Sequence, residues 1–498
     1  MLEIRSYTFY FCPCTQDLYG DEVLKHVAEH SKEIVNYLNE QKTIPFQIVL
    51  KPNLLTSDVI EKTFAEADAD PDCAGIITFA HTFSPSKSYI RALSSLKKPL
   101  CQFATQYNED IPYDKIDMDF MNENQAAHGE REFGHIFARM RHPHKVVFGF
   151  WQDPEVVEEL GKWMRTAVGI VESPNIRVAR FADTMRNVAV TDGDKIEAEQ
   201  VFGWTVDAWP VNDLIPFVDS VTDAEASELA DEYYELYSLT LDGRDEKEFR
   251  RHVEVQAAQE IGIERFLIEH NYNAFSDHFG DLGSLKQLPL LSIQRLMQKG
   301  YGFGPEGDWK TPAMVRLMKV MTANDPQAKG SALMEDYTYN LSKRHAGILE
   351  SHMGEVDPCV AEGEISIRAT PLSMGDREDP ARLVFTAKTG PAIATSLIDL
   401  GNRFRLIVQD VECKKVGHKM PQLPTGTVFW TPKPNLKIGT EAWIYAGGAH
   451  HTAFSFDLDA TQMSDWAEAF GIECAVIDEN TTIRDFKRDL RFAEVAYR

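Results

Sequence analysis

IRSYTFYF (residues 4–11), DEVLKHVAEHSKEIVNYLNE (21–40) and FQIVL (46–50) decide the fold class of this chain. The first and third runs are short and rich in β-branched and aromatic residues, the signature of buried strands. The middle run places Val23, Leu24, Val27, Ile34, Val35 and Leu38 near one face at helical spacing, with Asp21 the expected N-cap. Strand, amphipathic helix, strand is the unit of a parallel sheet, and the pattern repeats. VIEKTFAEADA (59–69) reads as a helix, CAGIITFA (73–80) and PLCQFA (99–104) as strands, and REFGHIFARM (131–140) as a helix before KVVFGFW (145–151).

A second unit begins near residue 175 with the strand NIRVARFAD, followed by a hairpin-like QVFGWTVDAW (200–209) and several helices. A third begins near 328. Its runs EISIRAT, ARLVFTAKT, FRLIVQDVEC, TVFWTP and EAWIYA read as antiparallel strands of a small barrel or sandwich. A helix–strand–helix closes the chain. The expected division is therefore 1–174, 175–327 and 328–498, in keeping with 498 residues being too many for one core.

Composition narrows the function. The net charge of −26 argues against nucleic acid and against an anionic membrane surface as partners. No apolar run reaches the length of a membrane-spanning helix, and the N-terminus does not read as a signal peptide. Seven scattered cysteines suit a reducing compartment, so a cytoplasmic protein is expected. Cys12 and Cys14 read as small core or loop residues, since no second pair accompanies them. The corner after the first strand, CPCTQDLYG (12–20), lacks the GxGxxG of a dinucleotide site. It offers Gln16, Asp17 and Tyr19 instead, and HTFSPSK (81–87) ends another strand. These groups can hydrogen-bond and stack on a polyol.

Four residues stand out by setting. Glu306 lies in the glycine-rich GYGFGPEGDWK, Glu335 in LMEDYTYN, His352 in ESHMGEV and His451 in GGAHHT. Two carboxylates and two imidazoles make a mixed oxygen and nitrogen donor set, suited to Mn²⁺ and less to Mg²⁺ or Co²⁺. No local signature joins them, and alone they read only as a metal site with a polar ligand. On an extended segment neighbouring side chains face opposite ways, so only one of His450 and His451 is expected to enter the site. His128 reads either as a capping or core histidine or as a proton-handling residue. Phe83 and Phe279 read either as core or as platforms for a sugar.

Read together, the longer stretches resemble the bacterial L-arabinose isomerases over essentially the whole chain. The motifs are DLYGDEVL, HTFSPSK, IDMDFMNENQAAHG with REFG, VAVTDGDK, LKQLP, QRLMQKGYGFGPEGDWKTPA, MEDYTY, SHMGEV, REDPARLVF, TGPAIATSLIDLG and EAWIYAGGAHHT. The resemblance implies two Rossmann-like, parallel-sheet α/β domains followed by an antiparallel β-barrel-like domain. It implies conversion of L-arabinose to L-ribulose, with D-galactose to D-tagatose as a side reaction, through an enediol. It implies one Mn²⁺ per subunit, with Co²⁺ or Mg²⁺ as substitutes, held by Glu306, Glu335, His352 and His451. Of the histidine pair His451 is then the ligand, and His450 points elsewhere. Glu306 and Glu335 would serve as acid and base, and His128 would assist ring opening. Gln16, Leu18, Tyr19, Phe83, Met185, Phe279 and Tyr337 would line the sugar pocket, in a homohexamer whose active sites form where subunits meet. The chain departs from the family's usual Gly-Ser-Gln corner at Cys14-Thr15-Gln16, and His278 is also unusual. The rival readings are a related isomerase acting on a 6-deoxyhexose, a non-catalytic sugar-binding protein and a metal hydrolase.

Overall fold

In a computed structural model, which describes residues 4–372, 376–418 and 420–497, the first strand β1 (Thr8–Cys14) is an interior strand of a parallel sheet. Its partners are β2 (Gln47–Leu50), β3 (Cys73–Ala80), β4 (Leu100–Ala104) and β5 (Lys145–Phe148), in the order β2-β1-β3-β4-β5. The helix Gly20–Glu40 turns its apolar stripe to the core, burying Val27, Ile34, Val35 and Leu38. It starts one residue before Asp21, which therefore sits in the first turn and is not the N-cap. Cys12 and Cys14 are buried in the core behind β1, as expected. The strand order reverses between β1 and β3, and crevices at such points are where open α/β sheets bind ligands. Gln16, Leu18 and Tyr19 follow β1 there, and Phe83 follows β3.

Contacts divide the chain after Val171 into two compact units. The second unit begins with four short parallel strands in the order β10-β9-β6-β7: β6 (Arg177–Phe181), β7 (Thr205–Trp209), β9 (Ala274–Ser276) and β10 (Gly302–Gly304). The hairpin expected over 200–209 is not formed. Residues 195–202 are a helix that ends at Gly203 in the left-handed conformation, and β7 returns parallel to β6. The strand β8 (Ser238–Thr240) lies apart, in a small sheet with β13 (Ala361–Ala369) and β14 (Ala381–Ala387).

The remaining strands close a barrel. They are β11 (Ser331–Asn340), β12 (Gly347–Ser351), β15 (Gly390–Asp399), β16 (Phe404–Cys413), β17 (Val428–Pro432) and β18 (His451–Ser455). Their antiparallel order is β15-β18-β11-β12-β17-β16, and β15 pairs with β16 along its whole length to complete the ring. Closure removes the open edges that an antiparallel sheet would otherwise expose. The last strand, β19 (Glu473–Ile477), adds to β16 in parallel.

One expected strand is a helix. EAWIYA belongs to the helix Leu436–Ala446, which buries Gly439, Ala442, Trp443 and Ala446, a spacing of three, four and seven. Asn435 caps its start by accepting from the Ile438 N–H at 3.1 Å. Gly447 (φ 84°) ends it, with the Gly447 and Gly448 N–H groups donating to the carbonyls of Ile444 and Trp443. A left-handed glycine closing the last turn is the commonest helix stop.

Candidate metal centre

The barrel register brings three of the candidate residues together. Glu335 on β11 pairs directly with His451 on β18 and, on its other side, with Ser351 at the end of β12. Directly opposed residues in antiparallel strands have neighbouring side chains on one face. His352 follows Ser351 where the strand ends, and its Nε2 lies 3.6 Å from Glu335 Oε2.

Glu306 arrives from the other sheet of the same unit. It stands in the loop after β10, with φ 63°, a conformation that costs a non-glycine residue about 1 kcal/mol or more. Its carbonyl accepts from the Met185 N–H at 3.0 Å, and the next amide, Gly307 N–H, donates to the Asp277 carbonyl at 2.8 Å. A Cβ at Gly307 would lie 2.5 Å from the Asp183 carbonyl oxygen, so only glycine fits beside Glu306. The Glu306 Oε2 is 3.8 Å from His451 Nε2.

Both imidazoles are held from behind. The His451 Nδ1 meets Asp308 Oδ2 at 3.3 Å, and the His352 Nδ1 meets Glu355 Oε2 at 2.6 Å. Asp308 and Glu355 are each 1 % exposed. A carboxylate on Nδ1 holds each ring with a proton there and turns Nε2 toward the two glutamates, where a cation can take the place of a proton. The Nε2 of His451 and the Oε2 of Glu335 are buried and have no hydrogen-bond partner. Such orphaned polar atoms are costly unless something else meets them.

The charges agree. Burial opposes a charged His352, yet Glu355, Glu335 and Glu306 together push it up to about 9. Burial and then the Glu355 charge push Asp277 up to about 8. Four carboxylates, those of Glu306, Glu335, Asp308 and Glu355, surround two imidazoles. A donor set this rich in negative charge fits a divalent cation. Glu306, His352 and His451 could share one ion, as could Glu335, His450 and His451.

His450 is therefore a correction to the reading of the pair. It does not point away. Its Nε2 lies 4.0 Å from Glu306 Oε2 and 4.0 Å from Glu335 Oε1. The nearby Glu306 carboxylate raises its pKa against partial burial. The alternation argument fails because His450 precedes β18, so the two residues are not both extended. Sequence reasoning also passed over Asp308 and Glu355. Their signal was present as carboxylates two residues after Glu306 and three after His352.

The pocket candidates fall in both units. Met185 follows β6, Phe279 follows β9 and packs on the Leu282, Leu285, Leu288 and Leu290 cluster, and Tyr337 lies two residues past Glu335. Burial, with Glu335 second, raises the Tyr337 phenol. In the N-terminal unit Gln16 and Tyr19 are half-buried, and Leu18 is 81 % exposed. Phe83 and His128 stack with ring centroids 4.5 Å apart, and His128 Nδ1 meets Gln125 Oε1 at 3.0 Å. The two departures differ in setting: Cys14 is buried and His278 is half-buried. The Cys14 thiol is buried, which pushes it up to about 12, and the His278 ring accepts from the Gly280 N–H at 2.9 Å.

Comparison with known proteins covers the chain. The L-arabinose isomerase N-terminal, central and C-terminal domain families match residues 3–175, 177–324 and 330–473. An L-arabinose isomerase of Geobacillus stearothermophilus is 51 % identical over 498 residues, 100 % of both chains. Others are 51 % identical in Anoxybacillus flavithermus, over 99 % of this chain and 98 % of that one, and 49 % identical in Thermotoga petrophila, over 99 % of each. Among the described residues no helix is long and apolar enough to cross a membrane.

Proposed function

Because the chain belongs to the L-arabinose isomerase family, an enzyme family, we propose that it interconverts L-arabinose and L-ribulose with a divalent metal, Mn²⁺ first, and turns D-galactose into D-tagatose more slowly. The observation that carries the metal reading is the pair of imidazoles, each fixed by a buried carboxylate, whose Nε2 atoms face two glutamates. Glu306, Glu335, His352 and His451 would hold the ion, with His450 beside them.

Aldose and ketose differ by the position of hydrogen on C1, C2 and their oxygens. The C2 proton of a free sugar is too weakly acidic for a carboxylate in water. A divalent cation, when bound, supplies Lewis acidity that stabilises the negative charge of an enediolate. Glu306 and Glu335 would then move protons, one taking the C2 proton as base and the other protonating the carbonyl oxygen as acid. Loss of the O2 proton and reprotonation at C1 then give the ketose. Burial of the site strengthens each of these charge interactions. Gln16, Leu18, Tyr19, Phe83, Met185, Phe279 and Tyr337 would bind and orient the sugar, and His128 would assist ring opening. This reading includes three domains, 1–174, 175–327 and 328–498, a homohexamer with active sites where subunits meet, and a cytoplasmic location.

Ketose formation from L-arabinose by metal-stripped protein, with and without added Mn²⁺, tests it. Activity restored only by metal is expected. Folded protein that makes no ketose in either condition overturns the substrate. Glu306→Gln should keep the fold and lose isomerisation, and turnover near the wild-type rate removes Glu306 from proton transfer.

A further inference from the structure

We propose that the N-terminal unit carries a second divalent-metal site, for an ion of the zinc class, built from His30, His81 and Glu123 with His26 beside them. His26 and His30 stand four residues apart on one face of the helix Gly20–Glu40. His81 is the first residue after β3, and Glu123 is the last of the helix Met118–Glu123. Ligand atoms of His30, His81 and Glu123 all lie within 4.8 Å of one another.

Three details separate this group from histidines that merely pack. His30 Nδ1 and His81 Nε2 are 2.8 Å apart. Two nitrogens at about 2.0 Å from one tetrahedral ion lie roughly 3.3 Å apart, so shared coordination needs a shift of only about half an ångström. The His81 Nδ1 donates to the Glu123 carbonyl at 3.0 Å, which fixes its tautomer and leaves the Nε2 lone pair facing His30 Nδ1, where it accepts a hydrogen bond that an ion would replace. The ring of His30 is held flat against Tyr107, with centroids 3.6 Å apart and planes within 5°, and the Tyr107 hydroxyl donates to Glu33 Oε2 at 2.7 Å. His81 is 2 % exposed while His30 and Glu123 are half-buried, so one side of the group is fixed and the other is open to solvent.

The donor set differs from the one at Glu306. Two imidazoles and one carboxylate favour Zn²⁺, Co²⁺ or Ni²⁺ over Mn²⁺ or Mg²⁺. The Glu123 carboxylate also lies 3.2 Å from His26 Nδ1, so His26 stands beside the group and holds that carboxylate. An ion there would tie the first helix, the segment after β3 and the end of the helix Met118–Glu123 to one point. Nothing in this reading depends on the chemistry at Glu306 and His451.

Zinc content after dialysis of metal-stripped full-length protein against Zn²⁺ and removal of excess tests the site. Wild type, His30→Gln and His451→Asn are compared, each first shown to be folded by circular dichroism. His30→Gln should hold one zinc ion fewer per chain than wild type and keep Mn²⁺-supported isomerisation. His451→Asn should lose isomerisation yet keep the ion that His30→Gln loses, and Co²⁺ bound to it should give the visible absorption of a nitrogen-ligated site. Equal zinc content in wild type and His30→Gln overturns the proposal, as does a His451→Asn protein that binds no zinc. If no variant isomerises L-arabinose, the zinc difference between wild type and His30→Gln still decides the second site.

Discussion

At the scale of single residues the candidate centre is built by the carboxylates behind the histidines as much as by the histidines. Glu355 is buried and spends one oxygen on His352 Nδ1. Glu355→Gln removes the charge and keeps the shape. It should weaken Mn²⁺ binding about 10- to 100-fold, as removal of such supporting partners typically does. Equilibrium dialysis of metal-stripped protein checks this, and unchanged affinity would show that the Glu355 charge does not support His352 as a ligand. Glu306 carries a different cost. Its left-handed backbone favours glycine, and its charge sits near that of Glu335 through the shared His450. Glu306→Gly should therefore abolish isomerisation while leaving the melting temperature of the metal-stripped protein equal to or above that of wild type. A lower melting temperature would mean that the side chain itself stabilises the loop.

At the scale of elements the sequence was legible where one period ran alone and misleading where two competed. The helix Gly20–Glu40 and the strands around it were readable because apolar spacing, length and punctuation all agreed. EAWIYA was misread because six residues of apolar and aromatic character suit a strand. The helical period shows only when Gly439 and Asn435 are included, since the buried set runs from 439 to 446. The corner Gly447-Gly448 is then a helix stop and not a hairpin turn. Gly447→Ala should cost about 1 kcal/mol by denaturant unfolding, because its Cβ must adopt φ 84° and meets Ile398 Cδ1 at 3.2 Å. A neutral substitution would show that the cap is not what ends the helix. The four residues Glu306, Glu335, His352 and His451 could be named from the sequence, but their closeness could not. It depends on the β18-β11-β12 register and on the helix Lys310–Thr322, which packs β10 against the barrel.

At the scale of the whole molecule the candidate centre belongs entirely to the unit that follows Val171, and the His30 cluster entirely to the unit that precedes it. Central sheet and barrel share one core through the helix Lys310–Thr322, whose side chains are buried almost throughout, so residues 172–498 should unfold together. A ligand that binds only the folded state stabilises the cooperative part that holds it. Saturating Mn²⁺, at about 100 times its dissociation constant, adds about 2.7 kcal/mol to that part. For a unit of this size that is a rise of about 4 °C in its unfolding temperature. Calorimetry of the metal-stripped protein should show Mn²⁺ raising the transition of residues 172–498 while that of residues 4–171 stays in place. In His451→Asn neither should move. A rise confined to the N-terminal transition would put the manganese on the wrong unit, and with it the paired glutamates out of the reaction.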